Sequence, residues 1–180
     1  MGLRLEHANN ISGWMYEAEL QFLAEVATKS LSIPNYVMIE IGSYEGKSTR
    51  ALADNSADDA RIHCVDPWNF YITAAIKSDD LTFNQFYRNL YKYIKSGKVK
   101  FNRKTWGDYQ PIEKADFIFI DGDHTRDAVA HDIHKALEWI NEGGIIAGHD
   151  YRADFPGVVK AVHENFPKFN LVESIWWVQL

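Results

Sequence analysis

Apolar positions in this chain fall into short continuous runs, and the stretches between them carry helical spacing. The first run, Tyr36 to Ile41, has buried-strand length and leads into a glycine loop, Gly42 to Gly46, and then into helix-like Lys47 to Asp54. Further runs at Ile62 to Val65, Val99 to Phe101, Phe117 to Ile120 and Ile145 to Ala147 predict four more strands. Helical spacing appears in Ile11 to Ser30, with Leu20, Leu23, Ala24 and Ala27 on one side, and in the aromatic segment Leu81 to Lys95. It returns with Ala128, Val129, Ile133, Ala136, Leu137 and Ile140, where Gly143-Gly144 closes the helix, and with Val158, Val159 and Val162, ended by Pro167. Phe169 to Val172 and Ile175 to Val178 predict two last strands around a Glu173-Ser174 turn.

Strands apolar on both faces and separated by helices imply a mostly parallel sheet covered on both sides, a doubly wound α/β fold. With no repeat, low-complexity tract or linker, residues 1–180 read as a single domain with a helical lead-in over 1–33. Ligands of such sheets sit outside the carboxyl ends of the strands. The segments to watch are therefore Glu40 to Ser48, Asp66 to Trp68, Lys104 to Asp108, Asp121 to His124 and His149 to Tyr151.

Composition narrows the function. Hydrophobic residues make up 46% and charged residues 24%, as in ordinary globular domains. Twenty-five acidic against 19 basic residues leave a net charge of -6, which gives no bulk support to phosphate-backbone binding, so nucleic acid is not the expected partner. The lone Cys64 lies in an apolar run and reads as a buried thiol in a reducing compartment. No signal peptide or membrane span is predicted, which points to the cytoplasm.

Three ligands compete for the glycine loop, Glu40-Ile41-Gly42-Ser43-Tyr44-Glu45-Gly46-Lys47-Ser48. A dinucleotide fingerprint needs two glycines one residue apart, and Ser43 and Tyr44 break that spacing. A phosphate loop, the mark of a P-loop-like nucleotide hydrolase, needs four residues before Gly-Lys-Ser where this chain has three, although Phe117 to Asp121 could serve as its magnesium strand. Glu40 and Glu45 oppose a triphosphate and favour a cationic ligand such as S-adenosylmethionine, with its ammonium and sulfonium. Asp66, 24 residues after Gly42, is placed to accept ribose hydroxyls; the alternative is a turn cap before Pro67. For Gly42 and Gly46 the alternative is a tight strand-to-helix turn.

Glu40 to Ser48 resembles motif I of the class I S-adenosylmethionine-dependent methyltransferases, and most of all the branch of catechol O-methyltransferase and its bacterial relatives acting on small hydroxylated molecules and sugars. Cys64-Val65-Asp66-Pro67-Trp68 resembles the ribose motif. Ile120 to His124 and Gly143 to Tyr151 resemble the paired motifs of the fourth and fifth strands, and Trp14 with its helix suits the lead-in. The likeness spans roughly residues 13 to 178, and the order and spacing of the motifs make it specific. It implies a seven-stranded Rossmann-like methyltransferase sheet with a C-terminal antiparallel strand. It also implies that Glu40, Gly42, Ser43 and Gly46 line the methionine end of the cofactor, with Ser48 near its carboxylate. Asp66 would lie at the ribose, and Thr105 and Trp106 beside the adenine.

Asp121 and Asp150 end neighbouring predicted strands, so their carboxylates can converge. The resemblance implies a magnesium ligand at Asp121 and a ligand pair at His149-Asp150, where the imidazole shifts preference from Mg²⁺ or Ca²⁺ towards Mn²⁺, Fe²⁺ or Zn²⁺ and leaves the metal's identity open. The alternative is that His149 and Asp150 only hydrogen-bond the loops. Metal-dependent members carry a lysine base three residues after the strand-four aspartate, where this chain has His124; Asp123 and His149 are the other candidate bases. Asp121, His124 and His149 are thus the expected catalytic residues, Asp121 also touching the cofactor, and a small-molecule acceptor the expected partner. A non-catalytic cofactor-binding subunit is the alternative from another class. His131 and His134 face solvent. Trp68 to Tyr71 could form part of an acceptor pocket or lid. Consecutive Trp176 and Trp177 point to opposite faces of a strand, so one of them needs cover from a helix or from a homodimer partner.

Overall fold

The structure, a computed structural model, describes residues 2–69, 71–73, 76–77 and 79–180. These form strands β1 (Val37–Ile41), β2 (Arg61–Val65), β3 (Tyr71–Thr73), β4 (Ile76–Lys77), β5 (Val99–Asn102), β6 (Ala115–Ile120), β7 (Ile140–Gly148), β8 (Asn170–Val172) and β9 (Ile175–Gln179). The helices are α1 (Glu6–Asn9), α2 (Glu17–Thr28), α3 (Lys47–Asn55), α4 (Asp79–Ser96), α5 (Arg126–Trp139) and α6 (Pro156–Asn165). Seven strands make one sheet in the order β5-β2-β1-β6-β7-β9-β8, and β3 pairs with β4 as a separate ribbon. The five strands from β5 to β7 run parallel, while β9 is antiparallel to both neighbours, as expected of the seven-stranded methyltransferase sheet.

The apolar runs serve two cores at once. Val37, Ile39 and Ile41 of β1 and Ile118 and Ile120 of β6 pack with Val129, Ile133, Val158 and Val162 of α5 and α6. Met38, Phe117 and Phe119 point the other way, against Leu23, Val26, Leu52, Phe86 and Leu90 of α2, α3 and α4. A strand buried on both faces has no polar side to show, which is why these segments lack the alternation of a half-exposed strand. Among the described residues no helix is long and apolar enough to cross a membrane.

Two boundaries differ from the sequence expectation. The first long helix starts at Glu17, not Ile11, because Glu19 turns back to accept the Tyr16 N–H at 2.8 Å and fixes the helix start there. Residues before it cross the glycine loop instead, where Lys47 Nζ donates to the Ile11 carbonyl at 2.9 Å. Gly143-Gly144 does not end α5. The helix stops at Trp139, and the glycines lie inside β7, exchanging backbone hydrogen bonds with Leu180.

The two indoles of β9 are both covered within one chain. Trp176 is fully buried and fills the space left by Gly148, where an added Cβ would lie 2.5 Å from the ring. Trp177 packs on Phe22 of α2, with ring centroids 5.8 Å apart. The cover is a helix, and the argument for a homodimer partner falls away. Trp68 is also buried, against Phe83 and Phe86, with its Nε1 donating to the Tyr44 carbonyl at 2.8 Å. It is core, not pocket wall; Phe70, of the same expected lid, lies outside the described residues.

The sheet order reverses at β1, whose parallel neighbours β2 and β6 follow it in opposite directions, so a crevice opens outside the ends of β1 and β6. Gly42 holds that crevice in shape. Its φ is +81°, and a Cβ there would lie 1.9 Å from the Asp121 carbonyl oxygen. Gly97 has nearly the same φ, +82°, with nothing within 4 Å. Gly97→Ala should therefore cost about 1 kcal/mol, the backbone cost alone, and Gly42→Ala at least about 3 kcal/mol, because backbone must move as well. Urea unfolding of the two variants checks this; equal losses would show that the Asp121 contact yields freely.

Candidate active site

The glycine loop folds around two acids rather than presenting a row of free amides. Glu40 is fully buried beneath it. Its Oε2 accepts the Ser43 hydroxyl at 2.6 Å and the Thr49 hydroxyl, and the Cys64 thiol lies 3.7 Å away. Burial raises the Glu40 carboxyl above the ordinary range, although hydrogen bonds from Ser43, Ser48, Thr49 and Cys64 pull it back. Its Oε1 is buried with no partner. The hydroxyls of Ser43 and Ser48, expected at the methionine end of a cofactor, are thus turned inward to Glu40.

Asp66 holds the loop from outside. Its Oδ2 accepts the Ser43 and Tyr44 N–H groups, both at 2.9 Å, and its Oδ1 accepts the Trp68 N–H at 2.6 Å. The cap anticipated as the alternative is formed, yet a carboxylate has about four acceptor positions, so room for a hydroxyl remains. This geometry also answers the phosphate-loop reading: the amides that would cradle a phosphate already bind a carboxylate. Gly46, at φ +88°, is required by the turn, and its missing Cβ makes room for Leu90, with a Cβ placed 2.4 Å from Leu90 Cδ2. The first turn of α3 has no side-chain cap, which leaves its amides free of side-chain acceptors.

Of the pair expected near the adenine, Thr105 is exposed and its hydroxyl donates to Asp108 at 2.7 Å. Trp106 is buried in the core beside Tyr109, with Lys135 Nζ 4.8 Å from its ring centre. Lys135 also ties that segment down by donating to the carbonyls of Trp106, Gly107 and Tyr109 at 2.5 to 3.1 Å.

Beyond the crevice lies a chain of alternating charge. Asp121 ends β6 and His149-Asp150 follow β7, with Asp150 held in the left-handed region at φ 59°. His149 Nε2 lies 3.1 Å from Glu19 of α2 and 3.1 Å from the Ser174 hydroxyl, while Nδ1 lies 3.3 Å from Asp150 and 3.6 Å from Asp121. Burial works against a charged imidazole, but the hydrogen bonds to Asp150 and Glu19 and the charges of Asp121 and Asp150 outweigh it and push the His149 pKa up to about 10. Burial likewise opposes charge on Asp150, yet His124 and His149 hold its carboxyl well below the usual range. His124 Nε2 meets Asp150 Oδ2 at 2.9 Å, and that bond raises the His124 pKa. Asp121 is pushed up to about 7, by burial first and by Asp150 as well, with His149 and His124 acting against the rise.

This changes three sequence-based assignments. The atoms that converge, all within 4.8 Å of one another, belong to Asp121, His124 and Asp150. His149, expected as metal ligand and base, faces a carboxylate with each nitrogen and has no free lone pair while protonated. Asp123, the other candidate base, is exposed and caps the next turn through the Thr125 N–H at 2.6 Å. Glu19 and Ser174 were not anticipated: Ser174 donates to Glu19 at 2.6 Å through its hydroxyl and at 3.0 Å through its N–H. They lie 130 and 25 residues from His149. A charged residue one turn before Leu23 on the apolar face of α2 was the available signal for Glu19. His131 and His134 are exposed, as expected.

A parallel sheet with a reversal at β1, a glycine turn there and acids at the ends of β2 and β6 define a class I methyltransferase fold. A family model described as a methyltransferase domain matches residues 39–151. Solved structures agree in fold. The O-methyltransferase from Bacillus cereus in complex with SAH is 16% identical, with 97% of this chain and 86% of that one covered and a TM-score of 0.66. TomG from Streptomyces achromogenes, an O-methyltransferase involved in tomaymycin synthesis and solved with SAM, is 13% identical, with 93% and 81% covered and a TM-score of 0.66. The SAM-dependent O-methyltransferase from Thermotoga maritima is 13% identical, with 94% and 67% covered and a TM-score of 0.65. The chain belongs to this methyltransferase family, of the class I type that depends on S-adenosylmethionine.

The raised His149 pKa has a signed consequence. A group whose pKa is higher folded than unfolded stabilises fully below its unfolded value, here about 6.5, and loses that contribution as pH rises through its folded value, about 10. The His149 contribution to the unfolding free energy should therefore fall by on the order of a few kcal/mol between pH 7 and 10, so that His149→Gln should be less stable than the wild type at pH 7 and the gap between them should shrink over the same window. Denaturant titrations at several pH values test this, and parallel profiles for the two proteins would refute it.

Proposed function

We propose that the enzyme methylates a hydroxyl oxygen on a small hydroxylated molecule or sugar, in the crevice outside β1, β6 and β7. The observation that carries this reading is the convergence of Asp121, His124 and Asp150 within 4.8 Å, one strand from the glycine loop. S-adenosylmethionine, when bound, would supply an electrophilic methyl to the acceptor oxygen and would leave as S-adenosylhomocysteine. The residues fit this cofactor. The unpartnered Oε1 of Glu40 offers an acceptor for the ammonium, directly or through water, and the uncapped turn of α3 offers amides to the carboxylate. Asp66 has acceptor capacity left for the ribose, and Thr105 is the exposed residue on the adenine side.

His124 is the base we assign. It is half-exposed at the crevice, its Nε2 is oriented by Asp150, and Phe155 packs on its ring at 4.4 Å. It takes the acceptor proton while Asp121, close to neutral pH in its own titration, receives a hydrogen bond from the hydroxyl or gives one. His149 stays charged and holds Asp150 in place. Most of the acceleration comes from holding acceptor and methyl in line.

A second reading keeps a divalent cation at the same three groups. Two carboxylates and an imidazole suit Mn²⁺ better than Mg²⁺, and a cation there would lower the pKa of an acceptor hydroxyl. The repulsion between Asp121 and Asp150 does not by itself demand it, since His124 and His149 already supply positive charge. In either reading Asp121→Asn should reduce turnover at least about 100-fold, the scale of a lost proton-handling group, while S-adenosylhomocysteine affinity stays within a few-fold. Excess EDTA decides between them: unchanged activity supports His124 as an unaided base, and loss restored by Mn²⁺ or Mg²⁺ supports the cation. Calorimetric binding of Mg-ATP with no response to S-adenosylmethionine would overturn the proposal as a whole.

A further inference from the structure

The two residues expected beside the adenine are poorly placed to read its edge. Trp106 is core, and the Thr105 hydroxyl is committed to Asp108, donating to its carboxylate at 2.7 Å and accepting its N–H at 3.2 Å. The turn that carries them faces a group that methyl transfer leaves unused. His131, Asp132 and Lys135 share one side of α5, by their spacing of one turn. On that side His131 Cε1 lies 3.7 Å from the place a Cβ on Gly107 would take, and Lys135 Nζ is spent on the carbonyls of Trp106, Gly107 and Tyr109.

Asp132 is a carboxylate in the interior of a helix and only 8% exposed. Its Oδ1 lies 3.2 Å from His131 Nδ1, while its Oδ2 has no hydrogen-bond partner among the described residues. Burial raises its pKa against the pull of His131, as expected of a carboxylate short of donors. The open oxygen is aimed at the end of β6: it lies 3.9 Å from where a Cβ on Gly122 would be, and because residue 122 has no side chain that side is uncovered. Gly122 directly follows Asp121, and β1 separates it from Asp66 at the end of β2. A nucleoside with its ribose at Asp66 and its methionine end at Glu40 and α3 still has its base to place. The ring nitrogens of that base are acceptors, and its one N–H donor is the exocyclic amine, so a carboxylate can read adenine only there.

We propose that Asp132 selects the base of the cofactor, accepting a hydrogen bond at Oδ2 from the exocyclic amine of adenine while His131 fixes the carboxylate from the solvent side. This rests on the S-adenosylmethionine assignment made above and adds to it the group that tells adenine from other bases. A site built to accept from an amine rejects the analogue that lacks it, because the buried acceptor is then left unpaired.

Calorimetric titration of the whole protein with S-adenosylhomocysteine and with its 6-desamino analogue, in which hydrogen replaces the amine, tests this without any turnover. The wild type should bind the natural compound at least about ten-fold more tightly, as expected for a hydrogen bond to a charged group. In Asp132→Ala the two affinities should fall within about two-fold of each other, mainly through loss of the natural compound, since a double-mutant cycle isolates the pairwise interaction. Asp132→Asn keeps the volume and one acceptor oxygen, so it guards against a folding failure, and it should narrow the gap while leaving the desamino affinity in place. A wild type that binds both compounds equally would overturn the proposal. So would a gap that persists in Asp132→Ala, whether or not both affinities fall, because a merely structural carboxylate weakens both ligands alike. A wild type that binds neither compound would instead overturn the cofactor assignment itself.

Discussion

His149 is the tie on which the carboxyl end of the sheet depends. Its ring is buried where α2, β7 and the turn between β8 and β9 meet, with carboxylates on both nitrogens. Each of those carboxylates would be costly to bury alone, and the imidazolium would be costly without them. Together they form a chain, Glu19 to His149 to Asp150 to His124, in which every member is held by its neighbours. Breaking it at Glu19 would leave a buried cation short of a partner, and the loss would pass to Asp150 and then to the orientation of His124. The N-terminal helix thereby sets the geometry of a residue more than 100 positions away.

The glycine loop is organised by the same rule on the opposite side of the crevice. Glu40 and Asp66 bind it from beneath and from outside, so that the hydroxyls and amides of a nominal binding loop are largely spent on the protein's own carboxylates. What remains for a cofactor is specific: one orphaned oxygen on Glu40, the start of α3 and the spare acceptor capacity of Asp66. Two of these three are acceptors, which favours a cationic nucleoside over a polyphosphate. The Asp121 carbonyl pressed against Gly42 keeps the two halves of the crevice at a fixed distance.

Much of this was legible from residue order. Strands buried on both faces declare themselves as unbroken apolar runs, and the positions near and after their carboxyl ends held Glu40, Asp66, Asp121, His124 and Asp150. What could not be read were partnerships across long separations. No local pattern joins Glu19 to Ser174, 155 residues apart, and without Glu19 nothing distinguishes His149 as a charged tie from His149 as a ligand. The inward turn of Ser43 and Ser48 was hidden for a similar reason, since a hydroxyl in a glycine loop serves a ligand or a buried acid equally well. Whether a helix or a partner covers the second indole of Trp176 and Trp177 could not be read either, because the packing of α2 against β9 is a tertiary fact.

The account turns on His149 staying protonated while His124 exchanges its proton. Nitrogen NMR of the selectively labelled histidines, from pH 6 to 10, reads both directly. The account predicts that His149 shows two protonated ring nitrogens throughout the neutral range and begins to titrate only towards pH 10, and that His124 titrates below it. A His149 that titrates near 6.5, as a free histidine does, would contradict the account and return His149 to the candidate bases.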